Sequence, residues 1–322
     1  MRRIFLTMLA LAILASAAHS APATAANKLT LPANTSTILN HIYSGRTDLA
    51  IPEARLLQQE NPNDPLGYIF EAEARWWKIW WGSAEFKYGM SMARHREKTA
   101  ADQPYLELAS KAYVVATTNL AQQESAQMHL YAGMADALAA RLYGLRGEGR
   151  NTAKFGVRAR ENLQRAFALD PQLADADFGL GLYNYYVDTL SAMARMLRFM
   201  MGIPGGSKEQ GIRQLHVAIA DGQLTPAVAR YYLVINLHNF DQRYEDALLL
   251  ITPLVEQYPD NPIFHLAQGD LYAKLGRKQL ALAAYHAAAD AKVNDDESRS
   301  NLAKLVQASM AAIGGGGPEA PK

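Results

Sequence analysis

Ala247 and Ala281 stand 34 residues apart, and the residues around them recur in the same order. Gly269, Tyr272, Ala281, Tyr285 and Ala288 follow one another at steps of 3, 9, 4 and 3. Ile235, His238, Ala247, Ile251 and Leu254 keep those steps one period earlier, and Pro259 closes the unit. A period of this length holds two short helices and their turns, with small residues where the helices cross. One such unit cannot bury its apolar face alone, so it must stack on its neighbours.

The rest of the chain agrees with helix throughout. Ala, Leu, Gln, Glu, Arg and Lys dominate, and apolar residues are not arranged in alternating runs. At 322 residues and 49% hydrophobic, the chain can fill a sizeable core. Pro behind polar residues punctuates it: Asp64-Pro65, Asp170-Pro171, Thr225-Pro226 and Asn261-Pro262 each suit a helix start. Ser207 with Gln210, and Asn294 with Glu297, fit capping boxes. These signals predict helices over 35–43 and 48–59, then roughly 65–95, 103–122, 125–144, 151–169, 173–200, 207–222, 226–240, 243–258, 262–275, 277–291 and 295–313. The helix over 295–313 reads as a cap, with Leu302, Leu305, Val306, Met310 and Ile313 on one face and mostly polar residues opposite.

The ends read differently. Arg2 and Arg3 precede an apolar stretch from Ile4 to Ala18, too short to span a bilayer comfortably, and small residues follow. Residues 1–25 are therefore expected to be a secretory signal peptide cleaved near Ser20 or Ala25, against the rival of an uncleaved anchor. The mature chain would be exported and periplasmic. Residues 26–33 read as a flexible linker and 314–322 as a disordered tail. With no cysteine there is no lipid-anchor Cys, disulfide or thiolate metal site. Without Arg2 and Arg3 the balance is 30 basic to 31 acidic residues, which lacks the footprint of a nucleic-acid binder.

Catalytic signals are weak. The eight histidines are scattered, and no metal-ligand spacing or nucleophile elbow occurs. Gly202 to Lys208 lacks the spacing of a phosphate loop and reads as a tight turn. No catalytic residue, metal or cofactor is expected. Trp76, Trp77, Trp80 and Trp81 are the most unusual cluster, two i,i+4 pairs covering more than one helix stripe. They read either as an aromatic surface for glycan or lipid, or as the core of a helix packed on several sides.

The spacing over 228–291 resembles the tetratricopeptide repeat, and 35–225 resembles it more loosely. A second stretch is similar to exported bacterial tetratricopeptide proteins and, more remotely, to the TTC39/Iml2-type family. It runs through Gly179-Leu180-Gly181-Leu182-Tyr183-Asn184-Tyr185-Tyr186, Leu197-Arg198-Phe199, Gly202-Ile203-Pro204-Gly205-Gly206 and Gly211-Ile212-Arg213-Gln214-Leu215. Ser191 stands near where that family often has Pro. Gly179, Gly181 and Gly211 suit close helix contact, since Gly inside a helix otherwise costs about 1 kcal/mol relative to Ala.

The resemblance implies an all-α fold: an α-solenoid of tetratricopeptide-like hairpins over 34–313, with a C-terminal capping helix. It also implies that the first helix of each pair lines a concave groove. Groove positions then fall on Ala229, Tyr232, Asn236, Asn239 and Phe240, and on Ile263, Leu266, Asp270, Ala273 and Lys274; Phe178, Tyr185 and Tyr186 join them from the long helix. Of these, Tyr185, Tyr186, Tyr232, Asn236, Asn239, Phe240, Asp270 and Lys274 are the expected binding residues. The expected function is a non-enzymatic exported scaffold binding a protein or peptide segment of the cell envelope. The alternative is a ligand-binding module that uses Trp76–Trp81 on glycan or lipid.

Overall fold

The computed structural model describes residues 29–86, 91–93, 97–200 and 202–314; the expected signal peptide, most of the expected tail and part of the expected linker lie outside them. Among the described residues the fold is all-α apart from one short ribbon. The helices are α1 (Thr35–Tyr43), α2 (Thr47–Glu60), α3 (Leu66–Ser83), α4 (Asp102–Gln122), α5 (Ala126–Leu145), α6 (Gly149–Leu169) and α7 (Asp175–Asp188). They continue with α8 (Ala192–Met200), α9 (Lys208–Asp221), α10 (Pro226–Asn236), a π-helical turn (Leu237–Asp241), α11 (Tyr244–Gln257), α12 (Pro262–Lys274), α13 (Lys278–Ala289) and α14 (Asp296–Gly314). The ribbon pairs β1 (Ala84–Phe86) antiparallel with β2 (Ser91–Ala93), Ala84 opposite Ala93.

Helices pack in adjacent pairs along the chain, α5 on α6, α7 on α9 and α4 on α5 most extensively. One set of helices is amphipathic and buries a narrow stripe at steps of 4 and 3. The stripe is Ala50, Ala54 and Leu57 in α2; Tyr105, Ala109 and Ala112 in α4; and Ala159, Leu163 and Ala166 in α6. It continues as Gly211, Leu215 and Ala218 in α9, Ala247, Ile251 and Leu254 in α11, and Ala281, Tyr285 and Ala288 in α13. The alternate helices α3, α10 and α12 are buried nearly all round, the pattern of helices with neighbours on every side.

Glycine sets the closest crossing. A Cβ on Gly211 would sit 2.6 Å from the Gly181 carbonyl oxygen and 2.8 Å from the Tyr185 amide nitrogen. One on Gly181 would sit 2.9 Å from the Gly211 carbonyl. The α7–α9 backbones therefore touch directly, as the paired glycines in the sequence suggest.

Three expected helices end differently. The helix expected over 65–95 stops at Ser83, after Gly82, whose missing side chain weakens helix. The buried Arg146 fixes that end: its Nη1 donates to Ser83 Oγ at 3.3 Å, and its other nitrogens reach Asp102 at 2.6 and 2.7 Å. The helix expected over 173–200 is broken after Asp188. Thr189 Oγ1 donates back to the Tyr186 carbonyl, and Ser191 Oγ accepts the Ala194 amide to start α8 afresh. The helix expected over 226–240 passes into the π-helical turn and closes at Gln242, a non-glycine residue with φ 53°.

Caps follow the sequence in part. Ser207 accepts from the Gln210 amide and Asn261 from that of Ile263. At α14 the cap is Asp295, which accepts from Ser298, while Asn294 reaches across to Asp48. Thr225 does not cap α10 with its side chain. Its hydroxyl and amide both donate to Asp175, which also accepts from Gln223 and Leu224. Asp175 thereby ties the start of α7 to the start of α10.

The array also closes. Asn261 Nδ2 donates to the Tyr43 carbonyl at 2.7 Å, 218 positions away in the sequence. Trp80 Nε1 donates to the Tyr231 hydroxyl at 3.2 Å, and α3 packs on α14.

Two predictions follow from these contacts. Gly211→Ala should gain helix propensity, yet lose about 1–3 kcal/mol in urea unfolding because the two backbones must part. Asp102→Asn tests the Arg146 anchor by its pH dependence. Burial raises the Asp102 carboxyl, but hydrogen bonds from Arg146 and Thr99 outweigh it and hold the pKa below its ordinary value. Its folded pKa thus lies below its unfolded one, so its stabilisation is complete above the unfolded pKa and disappears as pH falls through the folded one. The variant should be about 3 kcal/mol less stable at neutral pH, and the gap should close in denaturation curves taken below about pH 4.

Candidate functional site

Most of the residues expected to line a groove are buried or half-buried by the chain itself. Only Arg75, Lys78, Trp80 and Gly82 of α3 escape full burial. Trp76, Trp77 and Trp81 are core residues, at 3%, 2% and 7% exposure, so an aromatic surface formed by them is overturned. The reason is geometric: α3 lies among α5, α10, α12 and α14, and its rings spread to reach them all. Trp77 packs on Tyr231 at 5.1 Å and edge-on to Phe264 at 6.0 Å, and Trp76 stacks on half-buried Trp80 at 5.8 Å.

A buried ion pair sits beside these rings. Arg141 of α5 donates to Glu73 Oε2 at 2.6 Å and to the Tyr105 hydroxyl at 3.2 Å, and lies 4.2 Å over the Trp76 ring. Burial alone would lower the guanidinium's pKa, but the charge of Glu73 and the neighbouring phenols hold it well above its ordinary value. Tyr232, an expected groove residue, faces this cluster. Burial raises its phenol pKa and the Arg141 charge opposes the rise.

The other expected groove residues separate into two groups. Tyr185, Asn236 and Asp270 are fully buried. The Tyr185 hydroxyl lies 3.1 Å from both the Asn236 carbonyl and Asp241 Oδ2, and Lys208 Nζ pairs with Asp241 at 2.7 Å. Asp270 lies with Oδ2 2.6 Å from His238 Nε2, and the other ring nitrogen of His238 is 2.7 Å from Asn239 Oδ1. His238 is thus a buried link from the π-helical turn to α12. Tyr186 and Asn239 are half-buried, while Phe240 at 52% exposure and Lys274 reach the surface. Phe240 packs edge-on against Tyr185 and Tyr186. The structure brings Tyr185, Tyr186, Asn236 and Phe240 together, and Tyr232 lies between Tyr186 and Arg141.

The exposed apolar surface is elsewhere. Helix α8 has no buried residue among its described side chains. Met196, Phe199 and Met200 are exposed at 58%, 82% and 72%, and their spacing of i, i+3 and i+4 puts them on one face. The returning loop is seated firmly. Arg198 Nη1 donates to the Ile203 carbonyl at 3.0 Å, and Tyr183 donates to that of Pro204 at 2.9 Å. A Cβ on Gly206 would sit 2.7 Å from the Asn184 carbonyl, so the loop presses directly on α7. Residues 202–206 act as the turn expected of them and join the end of α8 to α7.

Sequence reasoning passed over Glu73, Arg141, Asp102, Arg146 and Asp175, which do the polar work of the interior. Their signal was present: Glu71 and Glu73 interrupt an otherwise apolar run, and a charge there needs a buried partner. The Met196–Phe199–Met200 face was legible as an amphipathic pattern. Among the described residues no cluster of His, Asp or Glu could hold a metal ion, and no helix is long and apolar enough to cross a membrane. No family model and no curated protein matches the chain.

The Glu73–Arg141 pair generates a direct test. Arg141→Met leaves a buried carboxylate unpaired and should cost about 3–5 kcal/mol in urea unfolding. Glu73→Leu combined with Arg141→Met should recover much of that loss, because neither charge then remains buried alone.

Proposed function

We propose that this chain is a non-enzymatic, exported interaction scaffold. It is an α-solenoid of tetratricopeptide-like hairpins, closed on itself, that docks a protein partner of the cell envelope through α8. The recurrence of one buried stripe, at steps of 4 and 3, in six helices supports the repeat reading. Arg2 and Arg3 before an apolar stretch support export. The observation that carries the docking surface is the exposed Met196–Phe199–Met200 face of α8. Large apolar side chains this exposed together on one helix face mark an interaction site. Methionines adapt to an irregular groove, and the spacing is that of a helix laid in one. Exposed Arg195 beside them favours an acidic rim on the partner.

Binding of an extended peptide along the inner face would require α3 to leave, since Trp76, Trp77 and Arg141 occupy it. The partner is therefore sought at α8.

A photo-crosslinking residue at position 199 should capture one envelope protein, and one at exposed Leu249 on α11 should not. Met196→Glu with Phe199→Glu should abolish recovery of that partner while shifting the thermal midpoint little, because neither side chain is buried. Undiminished recovery by the double variant sinks the proposal. So does crosslinking at position 199 to lipid alone.

A further inference from the structure

The charge around α8 is one-signed. From Thr189 to Lys208 the chain has no Asp or Glu, while Arg195, Arg198 and Lys208 are basic. Lys208 is matched within the protein, its Nζ 2.7 Å from Asp241. Arg195 and Arg198 meet no carboxylate among the described residues, and neither does Arg160 of α6, which lies 5.3 Å over the Tyr183 ring. On other outer helices exposed arginines are paired: Arg165 with Glu124, Arg243 with Asp246, Arg277 with Glu245 and Arg299 with Asp296. Burial raises the Tyr183 phenol pKa, and the charges of Arg160 and Arg198 both oppose the rise, so two of these cations act on one ring behind α8.

The helix also places its charge on one side. At about 100° per residue, the order around α8 is Arg198, Arg195, Phe199, Met196 and Met200. Arg195 precedes Phe199 by one turn, so the exposed cation borders the ring, while no Lys or Arg of α8 lies toward the Met200 edge. Arg198 is turned back onto the Ile203 carbonyl at 3.0 Å, which leaves Arg195 to reach outward. A lipid surface lies against both edges alike and would not need its cations on one of them. A protein segment with two different sides matches the asymmetry.

We propose that the partner docked on α8 presents an apolar stripe with acidic residues along one side only. The carboxylates meet Arg195 beyond Phe199, and Met196 and Met200 take the apolar contact. This rests on the docking role assigned to α8 and adds the chemistry and the orientation of the partner. Arg160 and Arg198 raise the positive potential behind the face and speed the encounter.

Photo-crosslinking residues at positions 199 and 200 of the full chain, with the joined peptides mapped by mass spectrometry, test it. Both positions should capture the same protein, with Asp or Glu beside the residue joined at 199 and none beside the one joined at 200. Arg195→Glu should cut capture at 199 about tenfold, and replacing the mapped acidic residue by Lys in the partner should restore it. Raising salt from about 0.05 to about 0.5 M should weaken capture by the wild-type charge pattern and leave Arg195→Gln nearly unaffected. The thermal midpoint should stay near wild type in both variants, since Arg195 is exposed. Capture of a protein at 199 that ignores both Arg195→Glu and salt leaves the docking role standing and overturns the acidic, oriented partner. So does a joined peptide at 199 without Asp or Glu. Capture of lipid alone at both positions overturns the docking role and the partner together.

Discussion

Trp77 packs at once against Tyr43 of α1, Tyr231 of α10 and Phe264 of α12, so one side chain joins the first helices of the chain to the later ones. The rest of the arrangement depends on this insertion of α3. A stack of hairpins has two open ends and an open inner face, each a source of exposed apolar surface. Here α3 touches α1, α2, α4 and α5 and, from the far end of the described chain, α14. Burial of large aromatic rings supplies the drive, and specific polar contacts such as Asn261 to Tyr43 fix the register of closure.

The charges inside follow from that closure. Inner helices surrounded by neighbours still carry Glu71, Glu73, Asp136 and Asp270, and each has a partner within reach. Glu73 and Arg141 join α3 to α5, Asp102 and Arg146 join α4 to the end of α5, and His238 meets Asp270 between the π-helical turn and α12. Buried pairs of this kind add little net stability over apolar residues but penalise every misaligned packing. Asp136 shows the balance leaning the other way: burial raises its carboxyl pKa, and Arg158 recovers only part of the difference.

Much of the fold was legible in the residues. Steps of 4 and 3 around Ala247 and Ala281 mark real crossings, and the same steps lie in Ala50–Leu57, Ala159–Ala166 and Gly211–Ala218. Those earlier units were harder to read because their spacing exceeds 34 residues, stretched by the longer helices α4, α5 and α6 and by α8 with its loop. Helix ends were legible where a side chain caps locally, as at Ser207 and Asn261. They were missed where a distant group decided them, as at Ser83, anchored by Arg146. The inner-face residues were placed on the correct helices, but their surroundings were not, because what covers Tyr232 comes from α3 and α5, far away in the sequence.

The sequence by itself determined the helices, their pairing and the close crossings, since periodicity, caps and glycine act within a few turns or between adjacent helices. Only the tertiary structure decided that Trp76, Trp77 and Trp81 are core, that most of the expected groove residues are covered, and that Met196, Phe199 and Met200 are exposed. Those outcomes depend on which distant helices meet. Contacts between residues this far apart in the sequence leave no local pattern to read.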